Sequence, residues 1–183
     1  AAAGNGSYTY TNGQTVTNPN GATSGTTYLY AQWNSASVKL PTATLPGYTF
    51  LGWYDAATGG NKIGGAGDSY TPTAAKTLYA HWSANAITVK FSGNGATGGA
   101  TADQQFTYDS AQALRANGFT RAYTVTYNGN FSGKTPTLGA TSQTATYTFK
   151  NWNNAAAGNG SYTYTNGQTV TNPNGATSGT TYL

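Results

Sequence analysis

The sequence predicts a mostly β protein built from small tandem α+β units, with at most one short helix in each. Three observations carry that expectation. The chain has 8 Lys and Arg and 4 Asp and no Glu in 183 residues, but 25 Gly, 15 Tyr and 4 Trp. Few charges with many aromatics is not the signature of disorder, and Thr and Tyr favour strands while Gly and Asn favour turns. Short runs alternate apolar and polar residues, as half-buried strands do. Finally, residues 155–183 repeat residues 1–29 without a substitution, 154 positions later, which points to one period of a tandem array plus an overlap.

The elements follow in order. Ser7-Tyr8-Thr9-Tyr10-Thr11 ahead of Asn12-Gly13 reads as a strand with both tyrosines on one face. Ser37 to Leu40 is a strand stopped by Pro41. Tyr48-Thr49-Phe50-Leu51-Gly52-Trp53 and Tyr147-Thr148-Phe149-Lys150-Asn151-Trp152 are matching aromatic strands, as are Leu29-Tyr30-Ala31-Gln32-Trp33 and Leu78-Tyr79-Ala80-His81-Trp82. The period of two puts Leu78, Ala80 and Trp82 on one side, with Tyr79 and His81 on the other. Ile87 to Phe91 runs into Gly93-Asn94-Gly95, and Thr124 to Tyr127 into Asn128-Gly129-Asn130, both strand-then-turn patterns. One stretch, Asp109 to Ala116, suits a helix, with a capping residue and an Asn117-Gly118 stop, although it offers barely two turns.

The run from Leu40 through Gly47-Tyr48-Thr49-Phe50-Leu51-Gly52-Trp53-Tyr54, then Gly59-Gly60 and Leu78-Tyr79-Ala80-His81-Trp82, resembles the Listeria–Bacteroides repeat, also called the internalin B-repeat. The resemblance extends over essentially the whole chain. It implies compact β-grasp, ubiquitin-like units repeated in extracellular proteins as stalk, spacer or adhesive module. On that pattern residues 1–33 are the closing part of a first unit and 34–85 a second unit. Residues 86–122 are an opening half without its aromatic strand, since Arg121-Ala122-Tyr123 stands where that strand is due. Residues 123–183 are the first unit again, truncated. The half-unit 86–122 either borrows strands from a neighbour or is an irregular spacer.

Several chemistries are disfavoured. Without cysteine there is no disulfide and no thiolate. The basic residues are dispersed, unlike a nucleic-acid footprint, and no apolar run is long enough to span a membrane. His81, the sole histidine, has Gln32 at its counterpart, a poor sign for a general base or metal ligand, and reads as a strand-surface residue. The four Asp residues form no metal-loop pattern, and without a Glu a lysine isopeptide bond lacks an evident acid to move protons. The glycines of 59–67 lack the lysine and hydroxyl sequel of a phosphate loop.

The aromatics are the candidate functional residues. Trp33, Phe50, Trp53, Trp82, Phe149 and Trp152 are expected in cores or assembly contacts, because large aromatics bury the most area a short unit can offer. Tyr8, Tyr10, Tyr28, Tyr54, Tyr70 and Tyr79 are candidate contact residues. The expected role is structural: an extracellular or cell-surface filament or stalk that self-associates through β-strand and aromatic contacts, without catalysis and without a cofactor. The alternative is an adhesin-type module that binds carbohydrate or a host protein.

Overall fold

The computed structural model describes residues 8–183, so Ser7 and the rest of 1–7 of the first copy lie outside the described residues. Among these, helix is confined to two three-residue 3-10 turns, Pro19–Gly21 and Pro173–Gly175. Fifteen strands make up the rest of the regular structure.

Five strands occupy the first half: β1 (Val38–Lys39), β2 (Tyr48–Tyr54), β3 (Lys62–Gly64), β4 (Ser69–Tyr70) and β5 (Tyr79–Ala84). β2 lies between β3 and β5, antiparallel to both, and β1 pairs with β4. Leu40 is the buried apolar residue here. Its backbone N–H donates to Asp68 O at 2.9 Å and its carbonyl accepts from Gly67 N at 2.8 Å, which fastens the β1 end to the turn before β4.

A single residue, Asn85, separates β5 from β6 (Ala86–Lys90). There follow β7 (Gly98–Gly99), β8 (Gln104–Thr107), β9 (Gln112–Ala113), β10 (Phe119–Thr126), β11 (Ser142–Tyr147), β12 (Trp152–Asn153), β13 (Thr163–Tyr164), β14 (Thr169–Val170) and β15 (Gly179–Tyr182). β6 is central, antiparallel to β8 and parallel to β15. β14 pairs with β9, and β12 with β13. One core joins Ile87, Val89, Phe91, Phe106 and Leu114 to Trp152, Tyr164, Val170 and Leu183. The alternation of β6 explains its central place: Ile87 and Val89 are fully buried while Thr88 and Lys90 face outward.

Three expectations change. Residues 109–116 form no helix: Asp109 sits in the left-handed region (φ 58°), and Gln112 and Ala113 enter a strand pair with Val170 and Thr169. Leu114 is the segment's lone buried anchor, so strand pairing satisfies its backbone where a short helix would bury little else. Second, the boundary expected between 122 and 123 falls inside β10, which runs unbroken across it. Strands of 86–113 pair with strands of 169–182, and β10 and β11 form a long antiparallel hairpin between those two halves. Third, Asn128-Gly129-Asn130 does not close that hairpin tightly, for the connection runs from Tyr127, whose N–H donates to Thr141 O at 2.8 Å.

The aromatic strands also diverge. β2 is continuous over seven residues, whereas its counterpart is interrupted between Tyr147 at the end of β11 and Trp152 at the start of β12. Gly52 carries φ +133° at the register shift that keeps β2 paired with β5. Asn151 stands at the equivalent position, and a residue with a Cβ does not take that conformation without strain.

Candidate functional site

The sequence-predicted aromatics separate into three environments. Trp152 is 3% exposed and packs against Phe91 (ring centroids 4.7 Å), Phe149 (4.9 Å) and Phe119 (6.2 Å). Phe50 meets Trp53 and Trp82 at 5.6 and 5.3 Å, all three half-buried on one sheet, and Trp53 Nε1 donates to Pro41 O at 2.8 Å. Trp33 departs from the core expectation at 89% exposed, because the stretch around it pairs with no strand among the described residues and so has no sheet face to pack on. Phe149 stays on the rim, and the Tyr147-Thr148-Phe149 stretch is exposed.

Among the contact tyrosines, Tyr8, Tyr28 and Tyr79 are exposed. Tyr10 and Tyr70 are half-buried. Tyr54 stacks on His81 at 3.9 Å with an interplanar angle of 7°, and His81 Nε2 lies 2.9 Å from Ala56 O. His81 is thus held between a ring and a carbonyl and is not a bare strand-surface residue.

Two features were missed by sequence reasoning. One is the joint at Asn85, which uses its backbone and both side-chain polar atoms. Asn85 N donates to Gly47 O (2.9 Å), Tyr108 N donates to Asn85 O (2.8 Å), Thr49 Oγ1 donates to Oδ1 (2.7 Å) and Nδ2 donates to Thr177 O (3.2 Å). Beside it Tyr48 meets Tyr108 edge-on at 5.5 Å, and Tyr48 OH donates to Asp109 Oδ2 at 3.1 Å. The Asp109 carboxylate raises the Tyr48 phenol above its ordinary pKa, chiefly by that hydrogen bond. A cue existed in the absence of any linker between Trp82 and Ile87.

The other feature is the projecting β10–β11 ribbon. Arg121 lies over the rings of Tyr123 (5.5 Å) and Tyr147 (5.2 Å), which meet each other edge-on. Tyr123, Val125, Tyr127 and Tyr147 are all exposed, and β11 has an open outer edge. At the ribbon's base an open cleft of about 380 Å³ is lined by Phe119, Arg121, Tyr147, Phe149, Lys150 and Trp152. Trp152 Nε1 is buried with no hydrogen-bond partner among the described residues.

This arrangement offers rings, amides and free strand edges, a surface suited to non-covalent contact. No helix of the described residues is long and apolar enough to cross a membrane. Residues 18–81 match the family described as the Listeria-Bacteroides repeat domain. The match takes in the paired strands β1 to β4 and the start of β5, together with the end of the first copy. The chain is also similar to Internalin H of Listeria monocytogenes serovar 1/2a, 51% identical over 55 residues. That match takes in 30% of this chain and only 10% of the relative, so the chain spans about a tenth of the protein it matches. No solved structure matches it.

Proposed function

We infer that the chain is a structural segment of an extracellular or cell-surface protein, in which β-grasp-like repeat units succeed one another as a stalk or filament held by strand pairing and aromatic contacts. The repeat family and the internalin relative support the surface setting. The observation that carries the mechanical part is the joint at Asn85. A one-residue connection whose polar groups are all engaged, with Tyr48 and Tyr108 packed beside it, passes load from one strand set to the next without a linker to bend. Exposed aromatics and the open β11 edge supply lateral contact with further copies. The reading assigns no catalysis: the sole histidine is stacked on Tyr54 and bonded to a main-chain carbonyl.

Negative-stain microscopy of the native protein, with light scattering over a concentration series, tests this. Fibres or mass that grows with concentration support it, and monodisperse particles at every concentration overturn it.

A second reading, adhesion to carbohydrate, draws on one observation. The cleft by Trp152 combines aromatic faces with Arg121, Lys150 and amides, the mixture on which sugars stack and hydrogen-bond. Chemical-shift changes confined to Phe119, Tyr147 and Phe149 on adding a glycan panel would support it, and a panel that moves none of them would sink it.

A further inference from the structure

The β10–β11 ribbon has two unlike faces. Its cross-strand pairs set Arg121 opposite Tyr147, Tyr123 opposite Ala145 and Val125 opposite Gln143 on one side. Tyr127 extends that side, since its OH donates to Gln143 Oε1 at 3.0 Å. The other side carries Ala122, Thr124, Thr126, Ser142, Thr144 and Thr146, with the Thr124 and Thr144 hydroxyls 3.3 Å apart. Burial does not account for the rings, because Tyr123, Val125 and Tyr127 are 44%, 50% and 43% exposed. The ribbon is also an addition to the strand pattern. In the first strand set Pro41 to Gly47 alone lead into β2, and β2 pairs with β5 no farther than Tyr48, whose counterpart is Tyr147. A strand laid beside residues 147–153 in that manner ends at the ribbon's foot and leaves Tyr123 to Tyr127 uncovered.

Arg121 is held without being neutralised. Its guanidinium lies 5.5 and 5.2 Å from the Tyr123 and Tyr147 ring centres, and a Cβ placed on Gly95 would meet its Cζ at 3.7 Å, so two rings and the Gly93-Asn94-Gly95 turn brace it. Among the described residues nothing accepts a hydrogen bond from it, and the two ion pairs join Lys76 to Asp55 and Lys90 to Asp103. The other two carboxylates are engaged as well: Asp68 accepts Gly65 N, and Asp109 accepts Tyr48 OH and Asn172 Nδ2. From Ser110 to Leu183 the sequence holds Arg115, Arg121, Lys134 and Lys150 and no acid. The ribbon therefore presents a preset fork of donors in a stretch without counter-charge of its own, and such a fork matches a carboxylate or a phosphate.

We propose that the Arg121 face of the ribbon binds an anionic polysaccharide, with a carboxylate or phosphodiester group on the Arg121 fork and successive sugar rings against Tyr123 and Tyr127. The proposal rests on the carbohydrate reading above and names its substrate class. Dimensions favour a glycan over a protein. From Arg121 to Tyr127 the strip is about 20 Å long and, being two strands across, about 10 Å wide. That falls well short of the roughly 800 Å² that each partner gives to a stable protein interface. A single extended polymer fits such a strip. Stacking on a ring needs only a sugar's apolar face, and Gln143 with the tyrosine hydroxyls supplies polar contacts to the sugar hydroxyls.

Titration of the full chain with polygalacturonate, poly(glycerol phosphate) and dextran of matched length, followed by calorimetry and by the ring resonances of Tyr123 and Tyr127, tests this. At least one acidic polymer is expected to bind about tenfold or more tighter than dextran and to move both tyrosines, and the tighter of the two identifies the group that the fork takes. Arg121→Gln should remove that preference while the cross-strand contact of Thr124 with Thr144 persists. Arg121→Lys keeps the charge but not the fork and should lose about threefold or more, which keeps the test decisive if the glutamine variant loosens the hairpin. Lys39→Gln removes the same charge from β1, in the other strand set, and should leave the affinity unchanged. Acidic polymers that bind no better than dextran overturn the proposal, as does an equal loss in Lys39→Gln, the mark of net charge alone. The two readings separate by place. Sugars that move Phe149 and neither Tyr123 nor Tyr127 leave the carbohydrate reading standing and remove this site, whereas polymers of any charge that move no residue remove both.

Discussion

Tyr48 OH donates to Asp109 Oδ2 at 3.1 Å across 61 residues of sequence, tying β2 of one strand set to the turn after β8 in the next. The hydrogen bond holds only while the phenol keeps its proton. Because the folded pKa is raised, the stabilisation is complete below the ordinary tyrosine value of about 10 and is lost as pH rises through the folded one. The angle between the two strand sets, followed by residual dipolar couplings, should become less defined over that alkaline range. Tyr48→Phe should show the looser joint already at neutral pH and no further alkaline change; an unaltered alkaline transition in the variant would refute this.

The duplicated segment supplies its own control. Val170 is 7% exposed and packed in the core, while Val16 has the same sequence neighbours and a half-open surface. Val170→Ala removes two buried methyl groups and is expected to cost about 1–3 kcal/mol once the cavity is included. Val16→Ala in a monomeric sample should cost less than about 0.5 kcal/mol. Denaturant midpoints of the two variants make the comparison, and equal losses would mean that the first copy is seated as well.

Gly52 tests why β2 stays whole where its counterpart breaks. A Cβ built there would lie 2.6 Å from Lys62 Cε and 2.8 Å from Gly64 O, at a φ of +133°. The lysine can swing aside but the carbonyl belongs to the paired strand. Gly52→Ala should therefore cost about 1–3 kcal/mol through backbone strain and lower the amide protection of β3 and β5 first. Protection left unchanged in both strands would show that the bulge tolerates a side chain.

Much of the local structure was legible because alternation is a local signal. Ile87 and Val89 fall inward and Thr88 and Lys90 outward, as the period of two requires, and the Gly93-Asn94-Gly95 turn closes with Ala96 N donating to Gly93 O at 2.9 Å. What escaped was pairing between distant segments. Parallel pairing of β6 with β15 needs no turn and leaves no short-range trace, so residues 86–122 read as a half-unit although strands on both sides of the hairpin complete one core. Trp33 and Trp82 close similar motifs, yet Trp82 lies on a strand paired with β2 and Trp33 on none among the described residues. A motif specifies a face; a partner strand decides whether that face is covered. The helix expected after Asp109 failed for the same reason, since β14 supplied the backbone partners.

Asp55 gives a test at the acid end. Its Oδ1 accepts the backbone N–H of Asn61 at 2.7 Å, its Oδ2 lies 3.5 Å from Asn61 Nδ2, and Lys76 Nζ stands 3.8 Å away. The Asn61 backbone bond is the main cause that holds this carboxyl below the ordinary Asp pKa, with the Asn61 side chain and Lys76 adding less and burial opposing them. A lowered folded pKa means that the carboxylate stabilises the 55–61 turn at pH above the ordinary value of about 3.9, and that this contribution disappears as pH falls through the folded value. The Asn61 amide resonance should titrate with a midpoint below that of an unstructured aspartate. Lys76→Ala should move the midpoint only slightly, because an exposed ion pair at this distance is screened. Asp55→Asn should abolish the titration. A midpoint at or above the ordinary Asp value would refute a carboxylate held by the turn, and a large shift on removing Lys76 would show that the long-range charge and not the Asn61 N–H governs it.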